Sequence, residues 1–203
     1  MNRQQRIGVF GGTFDPVHNT HLEIARTALQ YAHLDKVLFV VSASPPHKSG
    51  EVAISAEERY LLVDAALRDE PTMQACRLEV EREGPSYTAD TIKELGQHYP
   101  NAALYLIIGS DSLVDLPKWY NPRQILDAAH LLVVPRPGTP EPIPAMVEGH
   151  YDILPFKVSS LSSTEIRQNL SEGKPVNALI PDTVSALIHK KGLYNACHKN
   201  RTL

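Results

Sequence analysis

Cysteine is scarce in this sequence of 203 residues, which contains only Cys76 and Cys197, and neither belongs to a CxxC pair. Two isolated cysteines do not make the disulfide framework of a small secreted protein. Thiols are kept reduced inside the cell. We therefore expect a soluble protein in a reducing compartment, with a cytoplasmic localisation as the default.

The sequence also lacks an excess of positive charge and a long apolar run near its N-terminus. Its net charge of -3 argues against a nucleic-acid partner held by a diffuse basic surface. The apolar run at residues 7–10 is too short for the core of a signal peptide or for a membrane span. We expect no nucleic acid and no membrane as partners, so that any anionic ligand must be held by local groups.

The composition is that of an ordinary globular protein, with 42% hydrophobic and 21% charged residues. The length predicts a single domain over residues 1–194, with a small C-terminal helical part at about residues 160–194. Residues 195–203 lack apolar periodicity, which predicts a mobile tail. No internal repeat or low-complexity tract is present. Nothing in the sequence indicates an oligomeric state.

Apolar runs of strand length alternate with segments of helical periodicity along the chain. This alternation predicts an α/β fold with a doubly wound parallel sheet and helices on both faces. In such sheets, ligands bind beyond the carboxyl ends of the strands. The predicted strands lie at residues 7–10, 37–41, 76–80, 104–108, 131–134 and 153–156, and the predicted helices at 18–33, 55–68, 87–99, 124–129, 163–171 and 182–190.

The strongest chemical signal is the glycine turn at residues 11–21, which has the sequence GGTFDPVHNTH. Gly11 and Gly12 allow a ligand to approach the backbone closely, and a helix begins just beyond them. A helix N-terminus offers unpaired N–H groups and a positive dipole end to a phosphate. His18 and His21 share one face of the first helical turn, where both imidazoles can donate hydrogen bonds to a triphosphate.

Other interpretations of this segment remain open on the residues alone. Glycine turns often follow strands in proteins that bind no phosphate, and histidines at this spacing are more often surface or packing residues. The HExxH zinc motif and the GxGxxG dinucleotide motif are absent. A Walker loop is absent too, because Pro175 follows Gly173 and Lys174, and Gln168 stands where its first glycine belongs. A dehydrogenase and a P-loop kinase are both disfavoured.

Nearly the whole chain, from about residue 6 to residue 194, resembles one enzyme family. GGTFDPVHNTH is similar to the HxGH-type motif of the nucleotidyltransferase superfamily, in the form typical of bacterial nicotinate-nucleotide adenylyltransferases. Further similar segments follow in the family's order between residues 6 and 194. They are PPHK at 45–48, SYTADT at 86–91, IGSDSL at 108–113, WY at 119–120, RPG at 136–138, SSTEIR at 162–167, LIP at 179–181 and GLY at 192–194.

This resemblance implies a Rossmann-like nucleotidyltransferase fold and the transfer of AMP from ATP to nicotinate mononucleotide in NAD biosynthesis. It assigns His18, His21, Lys48 and Arg167 to catalysis. The implied ATP-binding residues are Gly11, Gly12, Thr13, Phe14, His18, His21, Gly109, Asp111, Ser163, Thr164 and Arg167. The implied mononucleotide-binding residues are Thr13, Asp15, Lys48, Thr88, Trp119 and Tyr120.

The chemistry of these residue types suits the implied roles. Lys48 follows a strand on a loop, although an isolated lysine is usually just solvated. Ser163 and Thr164 predict a helix N-cap, which together with Arg167 makes a clamp for phosphates. A lone tryptophan is usually a core residue, but the turn-rich surroundings of Trp119 favour a face that contacts the cationic pyridinium ring.

Thr20 departs from the family pattern, which usually has glycine between Asn19 and His21. Its side chain could crowd ATP or add a hydroxyl contact. We expect Mg²⁺ to arrive with ATP, without a dedicated metal site in the protein. The remaining alternatives are a preference for nicotinamide mononucleotide, a pantetheine-phosphate adenylyltransferase, and a nucleotide-binding module without turnover. Length, Trp119 and the SSTEIR segment disfavour the second, and the retained phosphate ligands disfavour the third.

Overall fold

A computed structural model describes residues 3–44, 52–136, 138, 142–157 and 161–194. Its strands are Gln5–Gly12 (β1), Lys36–Val41 (β2), Met73–Cys76 (β3), Ala102–Gly109 (β4), Ala129–Val134 (β5) and Tyr151–Ile153 (β6). Its α-helices are Asn19–Tyr31 (α1), Ala56–Ala66 (α2), Leu78–Glu81 (α3), Thr88–His98 (α4), Ser110–Asp115 (α5), Pro122–Ala128 (α6), Ser163–Ser171 (α7) and Asp182–Lys191 (α8).

The strands form one six-stranded sheet in the order β3-β2-β1-β4-β5-β6, and every pair is parallel. The chain builds outward from β1 to β3, returns to the other side of β1 with β4, and then continues to β6. The order of the strands therefore reverses between β1 and β4, which leaves a crevice at their carboxyl ends. The predicted Rossmann-like, doubly wound α/β fold is confirmed.

Both faces of the sheet are buried. Successive side chains of a strand point to opposite faces, so neighbouring residues belong to different apolar clusters. In β2, Phe39 joins one apolar cluster and its neighbour Val40 joins the other. The first cluster includes residues of α1, α2, α7 and α8, and the second includes residues of α4, α5 and α6. The C-terminal helices thus share the apolar cluster of α1, although the domain boundaries at residues 160 and 194 stay predictions.

The prediction of a strand at residues 76–80 is wrong for most of its length. The strand that pairs with β2 is Met73–Cys76, and Leu78–Glu81 forms the short helix α3. Leu78 and Val80 alternate with glutamates, which is also the pattern of a half-buried strand. Glu79 is buried, and its Oε1 accepts a hydrogen bond from Thr91 Oγ1 at 2.5 Å. This tertiary contact cannot be predicted from the alternation of residues.

Two further elements, a strand and a helix, differ from the predictions. The last strand is Tyr151–Ile153 and not 153–156, because the Leu131 N–H donates to the His150 carbonyl and so sets an earlier register against β5. Helix α5 was not predicted at all. By contrast, the predicted capping box at Ser55 and Glu58 is confirmed, since each side chain bonds the backbone N–H of the other. Across the described ranges, no helix is both long and apolar enough to span a bilayer.

Candidate active site

A cavity of about 880 Å³ lies at the carboxyl ends of β1 and β4, where the strand order reverses. The predicted site residues Gly11, Gly12, Thr13, Phe14, Asp15, His18, His21, Thr88, Gly109, Asp111, Trp119, Ser163, Thr164 and Arg167 line it. Tyr120 does not appear among the lining residues, and Lys48 lies outside the described residues. Residues that are 156 positions apart along the chain, such as Gly11 and Arg167, therefore border a single space.

The glycine turn is shaped by the packing of an aromatic ring. A Cβ atom added to Gly12 would lie 2.8 Å from Cζ of Phe14, so no larger residue fits there without moving that ring. The ring itself is 3% exposed and makes edge contacts with Phe10 and His21, at centroid distances of 5.6 and 5.0 Å. Close approach of the backbone to the core explains why this position needs glycine.

Replacing Gly12 with alanine is expected to lower kcat/KM for nucleotidyl transfer about tenfold or more, because a small displacement of the turn misaligns bound substrates. Gly96 provides a matched control, since it is exposed in α4 and a Cβ there meets nothing within 4 Å. Gly96→Ala should raise the free energy of unfolding by about 1 kcal/mol and leave kinetics unchanged. Steady-state kinetics and urea unfolding of both variants test this contrast. Normal kinetics in Gly12→Ala would contradict it.

The two histidines are stacked at the start of α1. His18 is the N-cap residue, and its ring lies 3.7 Å from that of His21 between centroids. The His18 backbone N–H donates to Nδ1 of His21 at 3.2 Å. Since Nδ1 accepts this bond, the proton of a neutral His21 is assigned to Nε2. The pair is therefore preorganised by its own backbone as a set of hydrogen-bonding groups on one helical turn.

Burial determines the protonation of His18. The residue is 4% exposed, its Nδ1 has no hydrogen-bond partner among the described residues, and burial lowers the pKa of His18 to about 4. An unfolded histidine has a pKa near 6.5. At neutral pH, His18 is thus a neutral imidazole, and an anion bound beside it would raise its proton affinity.

This lowered pKa predicts a pH dependence of stability. Between pH 6.5 and 4 the unfolded chain binds the His18 proton and the folded chain does not, so the free energy of unfolding falls as the pH falls. The full contribution of His18 is about 3 kcal/mol, present above pH 6.5 and lost by about pH 4. Urea unfolding of the wild type and His18→Asn across this range measures it. Parallel pH profiles for the two proteins would contradict the prediction.

Helix α7 is attached directly to the glycine turn. Arg167 Nη1 donates to the Asp15 carbonyl oxygen at 2.8 Å, and Ser163 Oγ donates to the Pro16 carbonyl oxygen at 2.9 Å. The N-cap of α7 is Ser162, whose Oγ accepts from the Glu165 N–H. The predicted cap at Ser163 and Thr164 is therefore wrong by one residue, because the hydroxyl of Ser163 contacts the turn instead.

Asp15 of the glycine turn is bonded to several other segments of the chain. Its carboxylate is buried, with Oδ1 accepting from the Tyr194 hydroxyl at 2.8 Å and Oδ2 accepting from the Ala53 N–H at 2.7 Å. Burial, followed by the nearby Asp15 charge, raises the pKa of Tyr194 well above its usual value. Both carboxylate oxygens of Asp15 thus have donors from the protein. Its contact with the mononucleotide stays a prediction.

The opposite wall of the cavity is the carboxyl end of β4. Here Asp111 lies in the first turn of α5, and its Oδ1 is 3.4 Å from Nε of Arg136. A Cβ atom added to Gly109 would collide with both of these side chains. The arrangement places a carboxylate beside a guanidinium at the rim, a pair that can contact ribose hydroxyls and phosphate oxygens.

Aromatic residues and the start of α4 form the remaining wall. Trp119 is half-buried, packing against the second apolar cluster while also lining the cavity, so it has both a core contact and an accessible part. Thr88 is the first residue of α4, where backbone N–H groups lack helical partners. Tyr120 is 50% exposed and stacks on Tyr87, with ring centroids 4.6 Å apart. A role for Tyr120 at the site stays a prediction.

The most prominent residue that the sequence analysis missed is Arg59 of α2, which is 1% exposed. Its Nη1 donates to the carbonyl oxygens of Thr13 at 2.6 Å and Ser42 at 2.7 Å, while longer bonds reach Ala43 and Ile54 at 3.4 Å. Burial lowers the pKa of Arg59, and the Asp15 charge opposes that shift. The guanidinium joins the glycine turn to the segments on either side of residues 45–51.

A signal for Arg59 was present in the sequence. It lies three and four residues before Leu62 and Val63, which are both fully buried, so it shares the buried face of α2 with them. A charged residue at such a position needs a buried partner. The partners are backbone carbonyl oxygens of other segments, and these leave no mark in the sequence.

Comparison with known proteins agrees with the nucleotidyltransferase class that this fold and site define. Residues 9–169 match the family model described as cytidylyltransferase-like. A nicotinate-nucleotide adenylyltransferase from Bacillus subtilis is 40% identical over 194 residues, covering 95% of this chain and all of the relative. A relative from Thermus thermophilus is 41% identical over 192 residues, covering 93% of this chain and 99% of the relative.

Solved structures support the fold. Nicotinic acid mononucleotide adenylyltransferase of Plasmodium falciparum, complexed with NaAD, superimposes with a TM-score of 0.75 at 19% identity, covering 94% of this chain and 97% of the other. The same enzyme complexed with APC gives a TM-score of 0.73. Because its identity of about 40% to the two bacterial relatives extends over nearly the full length of the chain, the protein belongs to the nicotinate-nucleotide adenylyltransferase family.

Proposed function

We propose that this chain transfers AMP from ATP to nicotinate mononucleotide, giving deamido-NAD and pyrophosphate. The observation that carries the proposal is the convergence of the glycine turn, the stacked histidines and Arg167 on one cavity at the strand reversal. The cavity has a volume of about 880 Å³. A relative that is 40% identical over 194 residues carries the name nicotinate-nucleotide adenylyltransferase, which supports the choice of acceptor. The pathway served is NAD biosynthesis.

The reaction is an in-line attack of the mononucleotide 5′-phosphate on the α-phosphorus of ATP. The phosphate is already an anion, so no covalent enzyme intermediate and no general base are required. Catalysis then consists of alignment and of stabilising charge on the phosphorus centre and on the leaving pyrophosphate. His18 and His21 donate hydrogen bonds to the phosphate oxygens, and Arg167 binds the β- and γ-phosphates with Ser163 and Thr164.

Mg²⁺ belongs to this proposal as part of the ATP substrate, where it neutralises phosphate charge. The donor set around the cavity fits a metal carried by the nucleotide. The Asp15 carboxylate is held by Tyr194 and Ala53, and Asp111 faces Arg136. Within the described ranges, no cluster of three histidine, cysteine or acidic residues is placed to bind an ion.

The acceptor occupies the wall formed by Trp119 and the start of α4. The Trp119 face suits the cationic pyridinium ring, and the N–H groups near Thr88 suit its carboxylate. A contact of Lys48 with the phosphates is part of this proposal on the family resemblance alone, since Lys48 lies outside the described residues. We propose a cytoplasmic localisation, because the two isolated cysteines of the sequence suit a reducing compartment. The proposed partners are ATP and nicotinate mononucleotide.

The test is pyrophosphate release from ATP and Mg²⁺ with nicotinate mononucleotide, nicotinamide mononucleotide or phosphopantetheine as acceptor. We expect the highest kcat/KM with nicotinate mononucleotide. A preference for either of the other acceptors would overturn the assignment of the substrate. Release with none of them, in a protein that still binds ATP, would favour a nucleotide-binding module without turnover.

Replacing Trp119 with alanine is expected to raise KM for nicotinate mononucleotide about 2- to 30-fold, because a cation–π contact contributes ~0.5–2 kcal/mol. KM for ATP should change little. Trp119→Phe keeps a ring and serves as the control, with a smaller effect on the acceptor KM. Steady-state kinetics with each substrate varied in turn measure the split. Equal increases in both KM values would instead indicate a general loss of packing.

A further inference from the structure

The Thr13–Phe14 peptide is the strained element of the glycine turn. Phe14 has a φ of 49°, in the left-handed region that a bulky aromatic residue rarely occupies. Rotation of this peptide plane by about 180° would give Phe14 a negative φ and would remove the strain. Residues in such conformations persist only where surrounding contacts hold them. The observed orientation therefore requires a contact on this peptide.

Arg59 makes that contact from outside the cavity. Its Nη1 lies 2.6 Å from the Thr13 carbonyl oxygen, and Arg59 is buried and does not itself line the cavity, although Thr13 does. The C=O and N–H groups of a trans peptide point in opposite directions. The Phe14 N–H therefore points away from Arg59, and within the described part of the chain it donates to no protein acceptor. Phe14 itself lines the cavity.

The position of Arg59 is in turn held by its other bonds. Ser42 and Ala43, which follow β2, accept from the guanidinium, and so does Ile54, just before α2. These bonds hold the guanidinium beside the turn. A planar, multidentate donor suits this task better than a single ammonium group.

We propose that Arg59 is a positioning residue, which holds the strained Thr13–Phe14 peptide so that the Phe14 N–H points into the cavity as a donor to a bound phosphate. The consequence for turnover rests on the proposed function. The consequence for the peptide orientation does not.

The kinetic test uses Arg59→Met, which keeps much of the side-chain volume, and Arg59→Lys. We expect kcat to fall about 10²-fold in Arg59→Met, as for the loss of one donor aligned on the transition state. Arg59→Lys should recover about a tenth of wild-type kcat or more, since an ammonium can still bond the Thr13 carbonyl oxygen. KM values should change less than kcat. Pyrophosphate release below the unfolding midpoint of each variant gives these numbers.

Arg6 provides the matched control at the opposite end of β1. It is half-buried, donates to the Ala32 carbonyl oxygen at 2.8 Å, and stacks over Tyr105 at 4.6 Å. Arg6→Met should lower the thermal midpoint and leave kcat within about threefold of the wild type. A purely structural Arg59 would behave in the same way. Wild-type kcat in a folded Arg59→Met variant would overturn the proposal.

A crystal structure of Arg59→Met separates this inference from the proposed function. The expected result is a rotated Thr13–Phe14 peptide with a negative φ at Phe14, and an unchanged peptide would overturn the proposal even if activity fell. If the wild type transfers AMP to no acceptor, the function fails while the peptide orientation still decides the inference. If Arg59→Met does not fold, the crystal structure and the kcat of Arg59→Lys provide the same test. A rotated Thr13–Phe14 peptide together with a wild-type kcat in Arg59→Lys would overturn the proposal.

Discussion

Replacing His18 with alanine is expected to lower kcat by about 10²-fold or more, as for the loss of one preorganised donor to a transition state. The imidazole lies on the cavity wall, stacked on His21, in a buried position where a hydrogen bond to a developing charge is strong. The effect should appear in kcat at saturating ATP and nicotinate mononucleotide, measured as pyrophosphate release.

Two controls separate catalysis from folding in this experiment. His18 caps α1, and asparagine is a good N-cap residue, so His18→Asn restores the cap without restoring the imidazole. It should keep a low kcat. His189, exposed in the last turn of α8, is a histidine whose replacement by alanine should leave kcat unchanged. Near-normal turnover in a folded His18→Ala variant would remove His18 from the mechanism.

Replacing Arg167 with methionine is expected to lower kcat/KM for ATP about 10²-fold. Charge-assisted hydrogen bonds contribute about 1.5–3 kcal/mol each, and a guanidinium can make two to a phosphate. The same side chain donates to the Asp15 carbonyl oxygen, so its loss also loosens the turn beside the histidines. Isothermal titration with ATP and steady-state kinetics report the two consequences separately.

Three variants make this second experiment decisive. Arg167→Lys keeps the charge without the planar fork and should retain part of the activity. Ser163→Ala removes the bond to the Pro16 carbonyl oxygen and tests the docking of α7 without removing the charge. Arg26→Met breaks an exposed ion pair with Glu70 and should change neither ATP affinity nor turnover. Unchanged ATP affinity and kcat in Arg167→Met would exclude a role for this residue at the phosphates.

Elements defined by local patterns could be predicted. The Ser55 and Glu58 capping box marks the start of α2, and a run of β-branched and aromatic residues marks β2. The interpretation failed where two periods fit equally well. Leu78 and Val80 suit a strand as well as the helix they form. The two structures are distinguished only by the pairing of β2 with Met73–Cys76, which places the strand before Leu78.

The candidate site divides in a similar way. The glycine turn and His18 are adjacent in the chain, so their association is visible in the sequence. Contacts between distant segments are not, as Asp15 shows by accepting from Tyr194, 179 residues later. The protonation of His18 was equally hidden, because its pKa depends on how much protein surrounds the ring.

The sequence alone determined the alternation of strands and helices and the family resemblance, and it predicted a phosphate-binding turn at residues 11–21. Hydrophobic periodicity, glycine and capping residues act over a few positions, so the alternation of strands and helices can be derived without coordinates. Only the tertiary structure decided that Arg59 and Tyr194 hold the turn, and that His18 is neutral. Burial and hydrogen-bond partners come from residues far apart in the chain, and they exist only once the sheet and its helices have packed.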